Sequence, residues 1–262
     1  MSGADTSPTT SPPPTPYRYI RVHWEGQTKD DRTITVYQAY NADIASAAVA
    51  NQTLNASPLF KLTRMTWIKP SWCWMLYRSN YSYKDPNQER IQAIRMTRSG
   101  FRELLKRAEV PAISMSNIKE INRAKVLERE VRSYTERARE RAGSKSGRVV
   151  VQWDPERNAR LEKLPYRSIQ IGIPASLVGK WVDEWIVGIE DVTERAREIK
   201  RLVDEGGSNE EIAALCPEER PYYAPLDVRA VLRIVDEDAE RETDWGTHSG
   251  SPARPWNEKN WG

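Results

Sequence analysis

Residues 66–79 read TWIKPSWCWMLYRS, and how this stretch folds sets the architecture around it. It carries three of the chain's ten tryptophans, with Lys69 and Arg78 among them. At a period of two, Trp67 and Lys69 share a face before Pro70. After it, Trp72, Trp74, Leu76 and Arg78 share one face, and Cys73, Met75, Tyr77 and Ser79 the other. Pro70 cannot donate to a ladder, so it divides two expected strands. One aromatic face must be core, but Lys69 and Arg78 cannot both be buried without partners. A Trp beside a Lys or Arg can stack on a base or a nicotinamide ring while the cation meets phosphate. Trp67, Lys69 and Arg78 are therefore candidates for gripping a flat, anionic ligand.

Working outward, FKLTRMTWI (60–68) and RIQAIRM (90–96) also read as strands. In YRYIRVHW (17–24), Ile20, Val22 and Trp24 alternate with Tyr19, Arg21 and His23, a half-buried strand. In DDRTITVYQAYNADIASAAVAN (30–51), Val36, Tyr37, Tyr40, Ile44, Ala47 and Ala48 fall at helical spacing, with Asp31 as expected N-cap. TRSGFRELLKRA (97–108) predicts a short helix with Phe101, Leu104, Leu105 and Ala108 on one face. Residues 116–142 predict a charged helix capped by Asn117 and Glu120. From Ser176 to Val203, Val178, Trp181, Trp185, Ile189, Val192, Ala196 and Ile199 predict one long helix, stopped by Gly206-Gly207. A last helix is expected over about 225–241.

RVVVQW (148–153) and YRSIQIGI (166–173) are strands with a divided character. Val149, Val151 and Trp153 oppose Gln152 and Asp154. Ile169, Ile171 and Ile173 oppose Ser168, Gln170 and Gly172. A solvent face of an antiparallel sheet is usually richer in Lys, Glu and Thr. Amide, hydroxyl and glycine positions read as a cleft, and Arg21, His23, Trp67, Lys69, Gln152, Asp154, Ser168 and Gln170 are its expected lining. Asp154 before Pro155 also fits a turn.

The 262 residues suffice for a real core, and helices and strands mix without a strict βα rhythm. The expectation is one α+β domain over 17–241, with a mixed or mainly antiparallel sheet and flanking helices. A disordered Ser/Thr/Pro-rich tail is expected at 1–16 and a Gly/Pro-rich tail at 242–262. The latter holds Trp245, Trp256 and Trp261, a docking peptide for a protein partner if it does not pack on the domain. A net charge of +3 does not by itself imply a DNA binder. Two cysteines and two histidines, with no CxxC, predict no metal site. No apolar run approaches the roughly 20 residues of a membrane span, and a cytoplasmic or nuclear location is expected. There is no GxGxxG and no P-loop.

The motifs IRVHW, TITVYQAYNADIASAAV, TRMTWIKPSWCWMLYRS, QERIQAIRMTR, VQWDPERN, RSIQIGIP and WIVGIEDVT, in this order, resemble the family of domain of unknown function 4291 over about residues 18–205. That resemblance implies no assigned activity. A second likeness is to ADP-ribosyltransferases, which place an Arg or His on the first strand and a Glu before a later one. It implies NAD as cofactor, Arg21 on its diphosphate, and Tyr37, Ser71 or Ser79 as the middle element. Glu89 would sit on the nicotinamide ribose, stabilising an oxocarbenium-like transition state. The Ser-Thr-Ser triplet of that family is absent. The leading expectation is an enzyme that binds a nucleotide or a nucleic-acid end. The alternatives are a non-catalytic nucleic-acid-binding module and a protein-interaction protein.

Overall fold

The computed structural model describes residues 18, 20–26, 32–110, 147–232 and 234. The expected tails at 1–16 and 242–262 and the charged helix at 116–142 lie outside the described residues. So does the end of the helix expected over 225–241.

The chain enters through β1 (Arg21–Glu25) and returns antiparallel through β2 (Thr33–Tyr40). β2 leads at once into α1 (Ala42–Asn51), where the Asn41 side chain accepts from the Ile44 N–H. The single helix expected across 31–51 is therefore a strand and a helix, with Asn41 in the capping role expected of Asp31. The reason is burial on both faces of β2. Ile34 and Val36 enter one core, Tyr37 and Ala39 a second, so no alternation marks the strand.

β3 (Thr66–Ile68) is short, and Pro70 follows it. The next segment is α2 (Trp72–Ser79), not the strand expected there. Ser71 caps it by accepting the Trp74 N–H, and Asn80 closes it in the left-handed region at φ 48°. Such a cap contributes about 1 kcal/mol. The helix buries Trp74 and, at a spacing of three and four that period-two reading divides between two faces, Trp72, Met75, Leu76 and Ser79.

β4 (Arg90–Thr97) runs into α3 (Arg98–Lys106), where Thr97 accepts the Gly100 N–H, and then into β5 (Ala108–Glu109). β6 (Val149–Arg157) and β7 (Lys163–Ile173) form a long antiparallel pair. Pro155 lies inside β6 at a register shift rather than in a turn. α4 (Ala175–Lys180) continues as a wider helical turn over Trp181–Trp185 and gives way to β8 (Ile186–Asp191). α5 (Thr193–Asp204), α6 (Asn209–Leu215), β9 (Arg220–Pro221) and α7 (Leu226–Leu232) complete the described chain. The long helix expected from Ser176 thus breaks into helix, strand and helix. β-branched Ile186, Val187 and Ile189 favour the strand, and Ile189 pairs with Ile94. Trp181, Trp185, Ile189 and Val192 are buried all the same, so their spacing marks burial and not helix.

The described residues form an α+β architecture with two sheets. The first, in order β8-β4-β2-β1-β9, is antiparallel throughout. The second, β3-β7-β6-β5, is mixed because β5 runs parallel to β6. Tyr37 and Lys69 join the two sheets by exchanging backbone hydrogen bonds of 2.7 and 3.1 Å. One core takes Ile34, Val36, Ile94 and Met96 from the first sheet and Val149, Val151, Trp153, Ile169 and Ile171 from the second. A smaller core lies on the other side of the first sheet, where α2, α5 and α6 pack over Tyr37, Ala39, Ile91 and Ala93. No helix among the described residues is long and apolar enough to cross a membrane.

Candidate functional site

The second sheet turns its Val/Ile/Trp face inward, and the opposite face is polar. Cross-strand register places Trp67 opposite Gly172, Gln152 opposite Gln170, and Asp154 opposite Ser168. A Cβ on Gly172 would stand 3.1 Å from the ring of Trp67, so the glycine makes room for the indole. Gln170 Nε2 donates to Gln152 Oε1 at 2.7 Å and to Asp154 Oδ2 at 2.8 Å. Gln152 is exposed, Trp67, Asp154 and Gln170 are half-buried, and Ser168 is buried. The face therefore descends from solvent into the molecule.

Lys69 is 3 % exposed. Burial and the nearby positive charge of Arg78 push its amine down to about 7, against the opposing charge of Asp154. Burial also raises the Asp154 carboxyl, against the Gln170 hydrogen bond and the charges of Arg167 and Lys69. Arg78 comes from the last turn of α2 and donates to Gln88 Oε1 at 2.9 Å. Arg157 lies over the Tyr77 ring at 4.0 Å.

At the buried end the strands meet α2. Ser71, which caps the helix, also donates to Glu156 Oε1 at 2.9 Å. Glu156 accepts further bonds from the Arg157 N–H and from Ser168. Glu219, just before β9, accepts the Trp72 N–H at 2.6 Å. Arg21 donates to the Glu219 carbonyl at 2.7 Å, and its charge acts on both carboxyl groups. Burial raises Glu156, and the hydrogen bonds from Arg157, Ser71 and Ser168 oppose that rise. Burial and the neighbouring Glu156 push Glu219 up to about 8. Tyr166 of β7 lies within electrostatic reach of Glu156, Arg21 and Glu219. Two carboxyls of unlike environment, one proton-holding at neutral pH, thus sit with an arginine and two serines where the sheets part.

The structure gathers Arg21, Ser71, Asp154, Ser168, Lys69, Gln170, Gln152 and Trp67 along this seam. Tyr37 contributes its backbone to the sheet junction and its ring to Trp72, 5.1 Å between centroids. Its phenol is within reach of Glu219 and both cysteines. His23 points elsewhere, to the Glu218 carbonyl at 2.8 Å. Glu89 accepts the Ala42 N–H at 3.0 Å, at the start of α1, and precedes β4, two strands from Arg21. Ser79 bonds the Met75 carbonyl within α2. Sequence reading did not place Glu156, Glu219 or Tyr166 in the site. Glu219 lies in CPEERP, which reads as a solvated charge run, and only the fold reveals that its carboxyl turns inward.

A donor-rich face leading to an acid–base pair can bind a polar ligand through cations and amides and can move protons at its buried end. An apolar hollow lined by Val22, Trp24, Ile34 and Tyr222 lies on the other face of β1 from Arg21. No curated protein matches the chain. The comparisons lend no support to the ADP-ribosyltransferase likeness. The model of the family described as domain of unknown function (DUF4291) matches residues 26–222, most of the length, and the chain belongs to that family.

Proposed function

We propose that the seam is the active site of an enzyme acting on a nucleotide-class ligand, with NAD the first candidate. The observation that carries this reading is the carboxyl pair Glu156 and Glu219, held with Arg21 at the end of a polar face that bears Trp67 and Lys69. In this reading Trp67 stacks on the base or the nicotinamide ring, and Lys69 and Arg78 meet phosphate. Arg21 holds the diphosphate nearest the carboxyls. Glu219 carries the proton a leaving group needs. Glu156, whose three hydrogen bonds favour the ionised form, stabilises positive charge developing on a ribose, the task first assigned to Glu89. The reaction class put first is transfer from the N-glycosidic bond of such a nucleotide. The partner is a nucleotide or a nucleic-acid end, and no membrane takes part.

Thermal shift with NAD, ADP-ribose, ATP, GTP and short RNA and DNA tests the reading. A ligand at about 100 times its Kd adds about 2.7 kcal/mol, a rise of roughly 5 °C or more for a chain of this size. A shift with NAD or ADP-ribose is expected. Glu156→Gln should keep that shift while lowering turnover by about 100-fold or more. Trp67→Ala should lose the shift. Stabilisation by oligonucleotides alone, weakening steeply with salt, would replace this reading with the nucleic-acid-binding module. No shift with any of these ligands would sink the nucleotide reading.

A further inference from the structure

Cys73 and Cys216 are the chain's only cysteines. The fold brings them together from distant segments. Cys73 is in the first turn of α2, and Cys216 ends α6. The hydrogen bond from the Trp72 N–H to Glu219 ties these two segments at 2.6 Å, one residue from one thiol and three from the other. Both cysteines are half-buried and free, and both pack against the second core beside Tyr37 and Ile212. Each thiol acts on the other's titration across this junction.

We infer that Cys73 and Cys216 are a redox-sensitive pair that peroxide converts to an intramolecular disulfide, fixing the Glu219 segment to the first turn of α2. The chemistry follows from this pairing. The Cys73 side chain and the charge of Arg195 lower the Cys216 thiol against burial, which favours Cys216 as the attacking sulfur. Cys216 Sγ lies 3.5 Å from the Ile212 carbonyl. The Cys216 side chain and burial raise the Cys73 thiol, which keeps its proton. Cys216 attacks one peroxide oxygen, the O–O bond breaks, and one water leaves with the thiol proton. The sulfur is left as a sulfenic acid. Cys73 then attacks that sulfur. The S–S bond forms, the S–O bond breaks, and the second water leaves with the Cys73 proton. Two thiols lose two electrons, and one peroxide becomes two waters. In a reducing compartment the pair returns to the dithiol by exchange. The inference does not depend on which ligand the seam takes.

The test uses the full chain, reduced and then treated with hydrogen peroxide under native conditions. Both thiols should disappear together from alkylation in denaturant. The intact mass should fall by two hydrogens, and a peptide map should show the Cys73 and Cys216 peptides joined within one chain. Dithiothreitol should restore both thiols. In Cys73→Ser, Cys216 should be trapped as its sulfenic acid by dimedone. In Cys216→Ser, Cys73 should remain a thiol at the same dose. Wild-type protein that keeps both thiols, or gains only sulfinic and sulfonic acids or a disulfide between two chains, would overturn the inference.

Discussion

Glu219 and Lys69 change stability with pH in opposite senses. The folded Glu219 holds its proton up to about 8 against an ordinary value of 4.5, so its contribution is complete below the unfolded value and is lost as pH rises toward 8. The folded Lys69 gives up its proton near 7 against an ordinary 10.5, so its contribution is present in alkali and is lost as pH falls through 7. The two windows barely overlap. Unfolding free energy from urea titrations should therefore fall by roughly 2 kcal/mol between pH 5 and pH 7. Glu219→Gln should flatten that slope. Lys69→Met should instead remove the gain between pH 7 and 10. A Glu219→Gln variant with the wild-type slope would show that this half-buried carboxyl does not hold its proton up to about 8. At this scale the polar face was legible. Alternation alone grouped Trp67 with Lys69 and Gln152 with Asp154, because β6 and β7 bury one face only. Glu219 was not legible, since nothing local tells a charge in a solvated run from one drawn inward to a helix N-terminus.

One-sided burial made β6, β7 and α3 legible, and burial on both faces hid β2 but not β4. β6, β7 and α3 carry clean patterns and fold as expected, whereas β2 and β8 were taken for helix because apolar spacing records burial rather than backbone. α2 shows the converse: Pro70 and Ser71 mark a helix start, but consecutive aromatics hid its period. Packing between elements gives a sharper check. In α3, a Cβ at Gly100 would meet Trp185 Cγ at 2.4 Å and Cβ at 2.8 Å, on a ring held in the core. At Gly188 of β8 the nearest atom is Arg95 Nη2 at 2.6 Å, the end of a flexible side chain that is 46 % exposed. Gly100→Ala should gain about 1 kcal/mol of helix propensity and still lose roughly 2 kcal/mol net, because the indole cannot move aside cheaply. Gly188→Ala should cost less than about 1 kcal/mol, since the guanidinium can swing into water. Denaturant midpoints of the two variants, measured side by side, check the ranking. Equal losses would mean that Trp185 yields as easily as Arg95.

At the scale of the whole molecule, the sequence pointed to α+β but not to two sheets. Their junction rests on backbone bonds between Tyr37 and Lys69, which side-chain patterns do not encode. The junction also fixes the site, because Lys69, Pro70 and Ser71 carry the chain from one sheet to the helix that meets Glu156 and Glu219. Two sheets joined by isolated bridges, Tyr37 with Lys69 and Arg18 with Arg167, could unfold separately if each had its own core. They do not: Ile34, Val36, Ile94 and Met96 share a core with Val149, Val151, Ile169 and Ile171. Stripping either sheet would expose the other's apolar face, at about 25 cal/mol for each Å² uncovered. That loss exceeds what the few bridging backbone hydrogen bonds contribute, about 1 kcal/mol each. Urea unfolding should therefore be a single transition, with tryptophan fluorescence and far-ultraviolet circular dichroism coinciding. Trp153 reports on the second sheet, so Trp153→Phe should leave the circular dichroism transition single while lowering its midpoint. Separate midpoints for the two probes in the wild type would show that the sheets are independent units and that the shared core does not bind them.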